Sequence, residues 1–246
     1  MLLNIKDHPF AVEAFFRKSL VLTFAFPAQQ LNPLIPTSFS LDTHQNQWAF
    51  LAIALVETQH LRPKGFPQFL GHSFFLIGYR IFVRYINQRG KRLRGLYILK
   101  SETNRKIMEW LGNTFTHYGY STTDIVQNDR ETSVEITSSQ SDFRVSVGWS
   151  TEDMVLPKDS PFNDWKEARK FAGPLPFTFT FFPNTREVLI IEGVREYWRP
   201  LPVEVHDYHF SFLNTPELSS GVLASAFMVS NIPYYWKKGK REVWRE

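Results

Sequence analysis

The sequence predicts an α+β fold in which many strands and few helices form a closed or strongly coiled barrel. About ten segments have the alternation or the β-branched and aromatic content of strands, whereas only two or three have helical spacing. With so few helices to cover a sheet, closure is the natural way to remove exposed edges. The sequence contains no repeat, low-complexity tract or Gly/Ser linker, so a single domain over residues 1–246 is expected.

Three strands are predicted in the first 87 residues. Residues 19–26 form an apolar run, and residues 47–60 are apolar on both alternating faces through Val56, which predicts a strand covered on both sides. Residues 72–87 alternate between two sets, with a bulge considered at Gly78. One set is Phe75, Ile77, Tyr79, Ile81, Val83 and Tyr85, and the other is His72, Phe74, Leu76, Arg80, Phe82 and Arg84.

The next strand and helix carry the first candidate residue. Residues 93–101 form an antiparallel partner for the preceding strand, and Leu96, Ile98 and Lys100 are predicted to share a face. A helix follows, with Thr103 or Asn104 as its N-cap. Its predicted apolar stripe is Ile107, Trp110, Leu111, Thr114 and Phe115.

The rest of the chain is predicted to contain further strands and two short helical segments. A Pro-bounded short helix or turn spans residues 27–36, and a second helix spans residues 161–173 with Gly173 as its stop. The remaining strands are predicted at residues 120–126, 131–139, 142–150, 176–182, 187–198, 203–212 and 221–230. The C-terminal sequence YYWKKGKREVWRE is predicted to be a solvated last strand or tail beside the barrel.

Composition narrows the function classes. The net charge of +4 comes from 28 basic and 24 acidic residues, a near balance that gives no reason to expect a nucleic acid partner. The chain has no Cys, so thiolate nucleophiles and Cys-based metal sites are excluded. The N-terminus has no signal-like core, and the longest apolar run, residues 48–56, is too short to span a bilayer. A cytoplasmic protein without a membrane partner is expected.

No motif predicts a metal or a cofactor. His206 and His209 lie in one strand but point to opposite faces, so they cannot chelate one ion without a bulge. The sequence contains no GxSxG, P-loop or GxGxxG motif. Neither a metal nor a cofactor is therefore expected.

The order of the segments resembles the YqjF-like family, which is grouped with acetoacetate decarboxylase in one fold superfamily. The similarity covers roughly residues 18–236. LIGYRIFV (76–83) stands where the family has E-x-N-V-R-T-Y-V and keeps Arg80 and the aromatic Phe82. GLYILKSE (95–102) occupies the place where the family has G-V-Y-F-F-S-L-D. REYWRPLPVEV (195–205) resembles a family strand that ends in the proline-rich PWPL.

This resemblance implies a mostly antiparallel, strongly curved β-barrel with a few helices packed outside and a central pocket. In acetoacetate decarboxylase a pocket lysine forms an imine with a β-keto acid, and the imine accepts the electrons left when carbon dioxide departs. Such a lysine must be partly neutral, which requires desolvation or a nearby positive charge. The present sequence departs from the family motif, with Leu76 at the position of the glutamate and Gly78 at that of the asparagine.

Lys100 is the candidate catalytic residue. It lies just before a helix whose N-terminal dipole disfavours an ammonium, and it faces the strand of Arg80 and Arg84 if the hairpin register is simple. The alternative is a strand-end lysine whose stem packs on apolar neighbours while its amine stays in water.

Arg80, Phe82 and Arg84 are the candidate ligand-binding residues. If their face lines the interior, two guanidinium groups beside an aromatic wall form a receptor for a small carboxylate. If the face is solvent-exposed, both arginines are routine surface charges.

Three functions follow from these residues. The first is a barrel that binds a small, partly apolar organic anion in a central pocket, with Arg80 as anchor. The alternative is a lyase or decarboxylase that acts on a keto acid through a Schiff base on Lys100. A structural or partner-binding protein is the third, if the arginine face lies at a subunit interface. The expected partner is a small-molecule ligand, and a homo-oligomer stays open.

Overall fold

The computed structural model describes residues 4–149, 154–171 and 175–245. Its helices are α1 (Ala28–Leu31), α2 (Lys106–Phe115) and α3 (Trp165–Phe171), with 3-10 turns at Ile5–Asp7, Asn32–Leu34, Gln68–Leu70 and Ser211–Asn214. Its strands are β1 (Val12–Pro27), β2 (Ser40–Leu41), β3 (Trp48–Pro63), β4 (His72–Ile86), β5 (Arg92–Thr103), β6 (Tyr120–Thr122), β7 (Val126–Asp129), β8 (Ser133–Ser138), β9 (Phe143–Gly148), β10 (Phe177–Phe182), β11 (Glu187–Arg195), β12 (Leu201–Pro202), β13 (Glu204–Phe210), β14 (Val222–Trp236) and β15 (Lys240–Val243).

The main sheet closes into a ring. Its strands follow the order β14-β1-β3-β4-β5-β10-β11, and β11 pairs again with β14. Neighbours in the ring are antiparallel except for β5 and β10. A second sheet has the order β13-β9-β8-β7 and is antiparallel throughout. The predicted α+β class with a mostly antiparallel sheet is confirmed.

Strands β3 and β4 of the ring are covered on both faces. On one face Ile53, Ile77 and Tyr79 join the main hydrophobic core, which also takes in Val145 and Val147 of the second sheet. The other face of β4 lines an internal cavity. The predicted division of β4 into two sets is therefore confirmed, as is the prediction that β3 is buried on both sides.

A bulge changes the faces of β5. Tyr79 pairs with Lys100 but Arg80 pairs with Ile98, so Leu99 is an extra residue on β5. The prediction that Leu96, Ile98 and Lys100 share a face is wrong, because Ser101 and not Lys100 continues the face of Ile98 toward the cavity. The strand pairing runs without a shift through Gly78, so the bulge lies on the neighbouring strand.

Helix α2 has the predicted period but a different phase. Met108, Leu111, Gly112 and Phe115 line the cavity at helical spacing. Ile107 and Trp110, which were expected to face inward, are 46% and 62% exposed. The helix begins after Arg105 without a side-chain cap, because the Asn104 side chain instead accepts a hydrogen bond from the backbone of Phe75, at 2.8 Å.

The second predicted helix is α3, and its expected stop at Gly173 lies outside the described residues. None of the helices in the described part of the chain is long and apolar enough to cross a membrane.

The burial of Asp42 predicts a stability effect. Its side chain is fully buried and pairs with the guanidinium groups of Arg84 and Arg94. We expect Asp42→Asn to lower the free energy of unfolding by about 2–3 kcal/mol, because it removes the charge that both arginines need. Urea denaturation measures the loss.

Asp129→Asn is the matched control for this prediction. Asp129 also pairs with two cations, Arg17 and Lys18, but its side chain is 38% exposed. Its loss should cost less than about 1 kcal/mol. Equal losses in the two variants would contradict the importance of the buried pair.

Candidate functional site

The candidate site is a cavity of about 430 Å³ inside the ring of strands. Every strand of the ring contributes lining residues, and α2 and β6 cover one side. Most of the lining is apolar, including Phe74, Leu76, Met108, Leu111 and Phe115. The exposed lining residues Phe10, Leu70 and His72 mark the opening.

Arg80 projects from β4 into this cavity. Its Nε is buried and has no hydrogen-bond partner. Burial lowers the pKa of Arg80, but an arginine stays protonated at neutral pH. Gly78 makes the pose of the side chain feasible, since a Cβ there would lie 2.5 Å from the Arg80 Nε.

A second arginine, Arg195 on β11, lines the same cavity. Its Nη2 is buried without a partner, and its Cζ lies 4.3 Å from the centroid of the Trp198 ring and 5.7 Å from that of Tyr234. The pairing of β11 with β14 sets Arg195 directly opposite Tyr234. Gly193 leaves space for the Tyr234 hydroxyl, because a Cβ there would lie 1.9 Å from it.

The two arginines lack acidic partners within the described residues. No ion pair there involves Arg80 or Arg195, and the described lining contains no Lys, Asp or Glu. Arg62, a third arginine of the lining, is neutralised by Glu13 at 2.7 Å. The interior therefore carries two unneutralised positive charges.

Three tyrosines add hydroxyl groups to the interior. Burial raises the pKa of Tyr118, Tyr120 and Tyr234, that of Tyr120 to about 12, although the charge of Arg80 opposes the shift. All three are therefore neutral at pH 7 and able to donate hydrogen bonds. The Tyr118 hydroxyl lies 2.6 Å from that of Thr178.

His8 is a neutral member of the lining. Burial lowers the pKa of its imidazole from 6.5 to about 4, and its Nδ1 is buried without a hydrogen-bond partner. At neutral pH it adds no charge to the cavity.

The structure separates the residues that the sequence grouped. Arg80 and Phe82 line the cavity, and their role in ligand binding stays a prediction. Arg84 does not line it, because its guanidinium group pairs with Asp42.

Lys100 also lies outside the lining. Its Nζ is 2.8 Å from Oε1 of the buried Glu102, whose Oε2 accepts a hydrogen bond from the Tyr79 hydroxyl at 2.8 Å. Lys100 does not face the cavity because the bulge at Leu99 turns its side chain to the face of β4 that carries Tyr79.

Sequence reasoning missed Arg195 and Tyr234. Arg195 opens the quoted motif REYWRPLPVEV and follows Gly193 by two positions, but nothing local shows that its face is interior. Tyr234 and Trp236 belong to the segment predicted to be a solvated strand or tail. That prediction is wrong for both residues, since β14 extends to Trp236 and both side chains line the cavity.

The histidines of β13 are not brought together. His206 Nε2 lies 3.7 Å from Glu204, and His209 Nε2 lies 3.3 Å from Asp142. Within the described ranges, no group of three or more His, Asp or Glu residues is arranged to hold a metal ion.

The arrangement as a whole is a hydrogen-bond donor site in an apolar enclosure. Two guanidinium groups and three phenol hydroxyls can donate hydrogen bonds to oxygen atoms. The low polarity of the surroundings strengthens each of these hydrogen bonds. Such a set of donors is chemically suited to an anionic oxygen group.

Comparison with known proteins identifies the fold. The model of the DUF2071 family, described as "Uncharacterized conserved protein", matches residues 13–229. No curated protein matches the sequence significantly. The acetoacetate decarboxylase of Legionella pneumophila has a similar structure, with a TM-score of 0.61 and 11% identity over 95% of this chain and 88% of that one.

Two further structures are similar to the same extent. An acetoacetate decarboxylase-like enzyme from Sphingomonas wittichii has a TM-score of 0.57 and 10% identity, covering 98% of this chain and 96% of that one. The enduracididine biosynthesis enzyme MppR, solved in complex with pyruvate, has a TM-score of 0.54 and 7% identity, covering 96% and 91%. At these identities the similarity shows the fold alone.

The placement of Lys100 predicts a structural role. We expect Lys100→Met to lower the free energy of unfolding by about 1–2 kcal/mol, because it leaves the buried Glu102 without its cation while Lys100 itself is partly solvated. Urea denaturation measures the loss. Lys237→Met, which breaks a solvent-exposed pair with Glu192, should cost much less than Lys100→Met. Equal losses would show that Glu102 does not depend on Lys100.

The burial of His8 predicts a pH dependence of stability. The unfolded chain binds a proton at His8 near pH 6.5, but the folded chain does so only near pH 4. Stability is therefore lost as the pH falls from 6.5 toward 4, by about 3 kcal/mol in total.

Urea denaturation from pH 7.5 to pH 4 tests this slope in wild type and in His8→Asn. Asn suits the left-handed backbone of position 8, where φ is 55°. The variant should lose less stability than wild type over this range, whereas the exposed control His209→Asn should follow wild type. Parallel curves for wild type and His8→Asn would contradict the prediction.

Proposed function

Because this chain belongs to the DUF2071 family and has the acetoacetate decarboxylase-like fold, we propose that it binds a small, partly apolar organic anion. In this proposal the ring of strands is the wall of a curved barrel, and the cavity inside it is the binding site. Arg80 is the anchor for the anionic group.

The observation that carries the proposal is that Arg80 has no ion-pair partner among the described residues, and that its buried Nε has no hydrogen-bond partner. A buried cation without a counter-ion is costly, and the described lining offers it no carboxylate. A ligand carboxylate would supply that partner through short charge-assisted hydrogen bonds, which are among the stronger polar contacts in proteins. The tyrosine hydroxyls beside it can donate to the same group.

The lining also supports an apolar body for the ligand. Phe82 packs near Phe50, with ring centroids 6.0 Å apart, and Leu76, Met108 and Phe115 continue the apolar wall. Binding sites for small molecules commonly combine such a wall with a few polar groups that fix orientation. The complex of MppR with pyruvate supports the proposal that the ligand carries a carboxylate, because pyruvate is a small carboxylate bound to a protein of similar fold.

The geometry favours binding over imine chemistry on Lys100. A Schiff base requires an amine that faces the bound carbonyl group. Lys100 is paired with Glu102 and stands on the other face of β5 from Ile98. No lysine occurs in the lining that the structure describes.

Octanoate is a suitable probe for the proposed site. We expect isothermal titration calorimetry at pH 7.5 to show one molecule bound per chain, with quenching of tryptophan fluorescence because Trp198 and Trp236 line the cavity. Arg80→Gln should weaken binding by about tenfold or more, since a hydrogen bond to a charged group contributes about 1.5–3 kcal/mol.

Two controls separate the anchor from general effects. Arg84→Gln removes an arginine of the same strand that lies outside the lining, so it should lower stability but keep the octanoate affinity. Octan-1-ol, which has the same length and no charge, should bind more weakly than octanoate. Wild-type affinity in Arg80→Gln, or equal affinity for the acid and the alcohol, would reject the proposal.

A further inference from the structure

The cavity holds one more positive charge than a simple carboxylate can neutralise. Arg80 and Arg195 both line it, each with a buried guanidinium nitrogen that has no hydrogen-bond partner. Burial lowers the pKa of Arg195, and the positive charge of Arg80 lowers it further. No carboxylate in the described part of the chain pairs with either of them.

Tyr234 lies opposite Arg195 and lines the same cavity as both arginines. The Cζ of Arg195 lies 5.7 Å from the centroid of the Tyr234 ring, and the positive charges of both arginines act on the Tyr234 hydroxyl. Two guanidinium groups and one phenol hydroxyl therefore belong to residues that line the same cavity. A monocarboxylate has two oxygens with about four acceptor positions, fewer than two guanidinium groups and a phenol can use.

We propose that the ligand carries a head group with two negative charges, a geminal dicarboxylate or a phosphate monoester, attached to an apolar body. This inference rests on the proposed function and names the class of anion. The head group lies between Arg80 and Arg195 and accepts a hydrogen bond from Tyr234. The apolar body extends past Leu76, Met108 and Phe115 toward the opening near Leu70.

Charge balance supports a dianion over a monoanion. One carboxylate neutralises one guanidinium group and leaves the other buried and unpaired, which is the costly arrangement for an ion in a protein interior. A dianion pairs with both and removes their mutual repulsion. The described lining contains no Lys, Asp or Glu, and Arg62 is balanced by Glu13 at the edge.

A matched set of ligands tests this inference by calorimetry at pH 8. Hexylmalonate is octanoate with a second carboxylate on the same carbon, and hexyl phosphate differs from hexyl methyl phosphate by one negative charge. We expect at least one dianion to bind wild type about tenfold or more tightly than its singly charged partner. Preference in the malonate pair alone indicates a dicarboxylate, and preference in the phosphate pair alone indicates a phosphate monoester.

Variants of Arg195 connect the preference to this residue. Arg195→Gln should reduce dianion affinity to about that of the monoanion and affect monoanion affinity much less. Arg195→Lys should keep part of the preference, because it retains the charge without the planar donor geometry. Thermal unfolding verifies that each variant is folded, and the wild-type comparison needs no variant.

The experiments distinguish failure of the dianion inference from failure of the proposed function. If the monoanions bind wild type as tightly as the dianions, or if the preference persists in Arg195→Gln, the dianion inference is wrong and the proposed function stands. If none of the four ligands binds, both are wrong.

Discussion

Three residue pairs between β11 and β14 close the main sheet, and the site depends on this closure. The pairing sets Arg195 opposite Tyr234 and Gly193 opposite Trp236, so four residues of the lining come from the two strands that meet there. Without it, both strands would present unpaired backbone groups and the cavity would lose one side of its wall. Closure therefore gives the fold its completed hydrogen bonding and the site its second arginine.

Enclosure also sets the electrostatic character of the interior. Two guanidinium groups without carboxylate partners reduce the stability of the empty protein, because their desolvation is not offset by ion pairing. The extensive apolar core compensates, since β3 is buried on both faces and β4 and β1 also contribute many buried apolar side chains. A bound anion would return part of that stability in proportion to its occupancy, so binding and folding are coupled through the same two residues.

The sequence predicted features that depend on local alternation. The two faces of β4 and the double burial of β3 follow from period-two patterns, and the helical period of α2 was equally clear. The phase of the helix was not clear from the sequence, because a tryptophan such as Trp110 is usually a core residue but is exposed here. Only the packing shows that Gly112 faces inward and accommodates Tyr120. The extra residue at Leu99 has no sequence signature, yet it decides that Lys100 faces Glu102 and not the cavity. Arg195 and Tyr234 meet only through a long-range pairing, which no local pattern can show.

The two departures from the family motif, Leu76 and Gly78, both change the surroundings of Arg80. Leu76 stands where the resembled motif has a glutamate, and it lines the cavity on the same strand face as Arg80. A carboxylate at that position would be a candidate partner for the guanidinium group and would compete with a bound anion. Gly78, at the position of the asparagine, leaves the space that the Arg80 side chain occupies. With Leu76 and Gly78 at these two positions, Arg80 has space for its side chain and gains no carboxylate partner from its own strand.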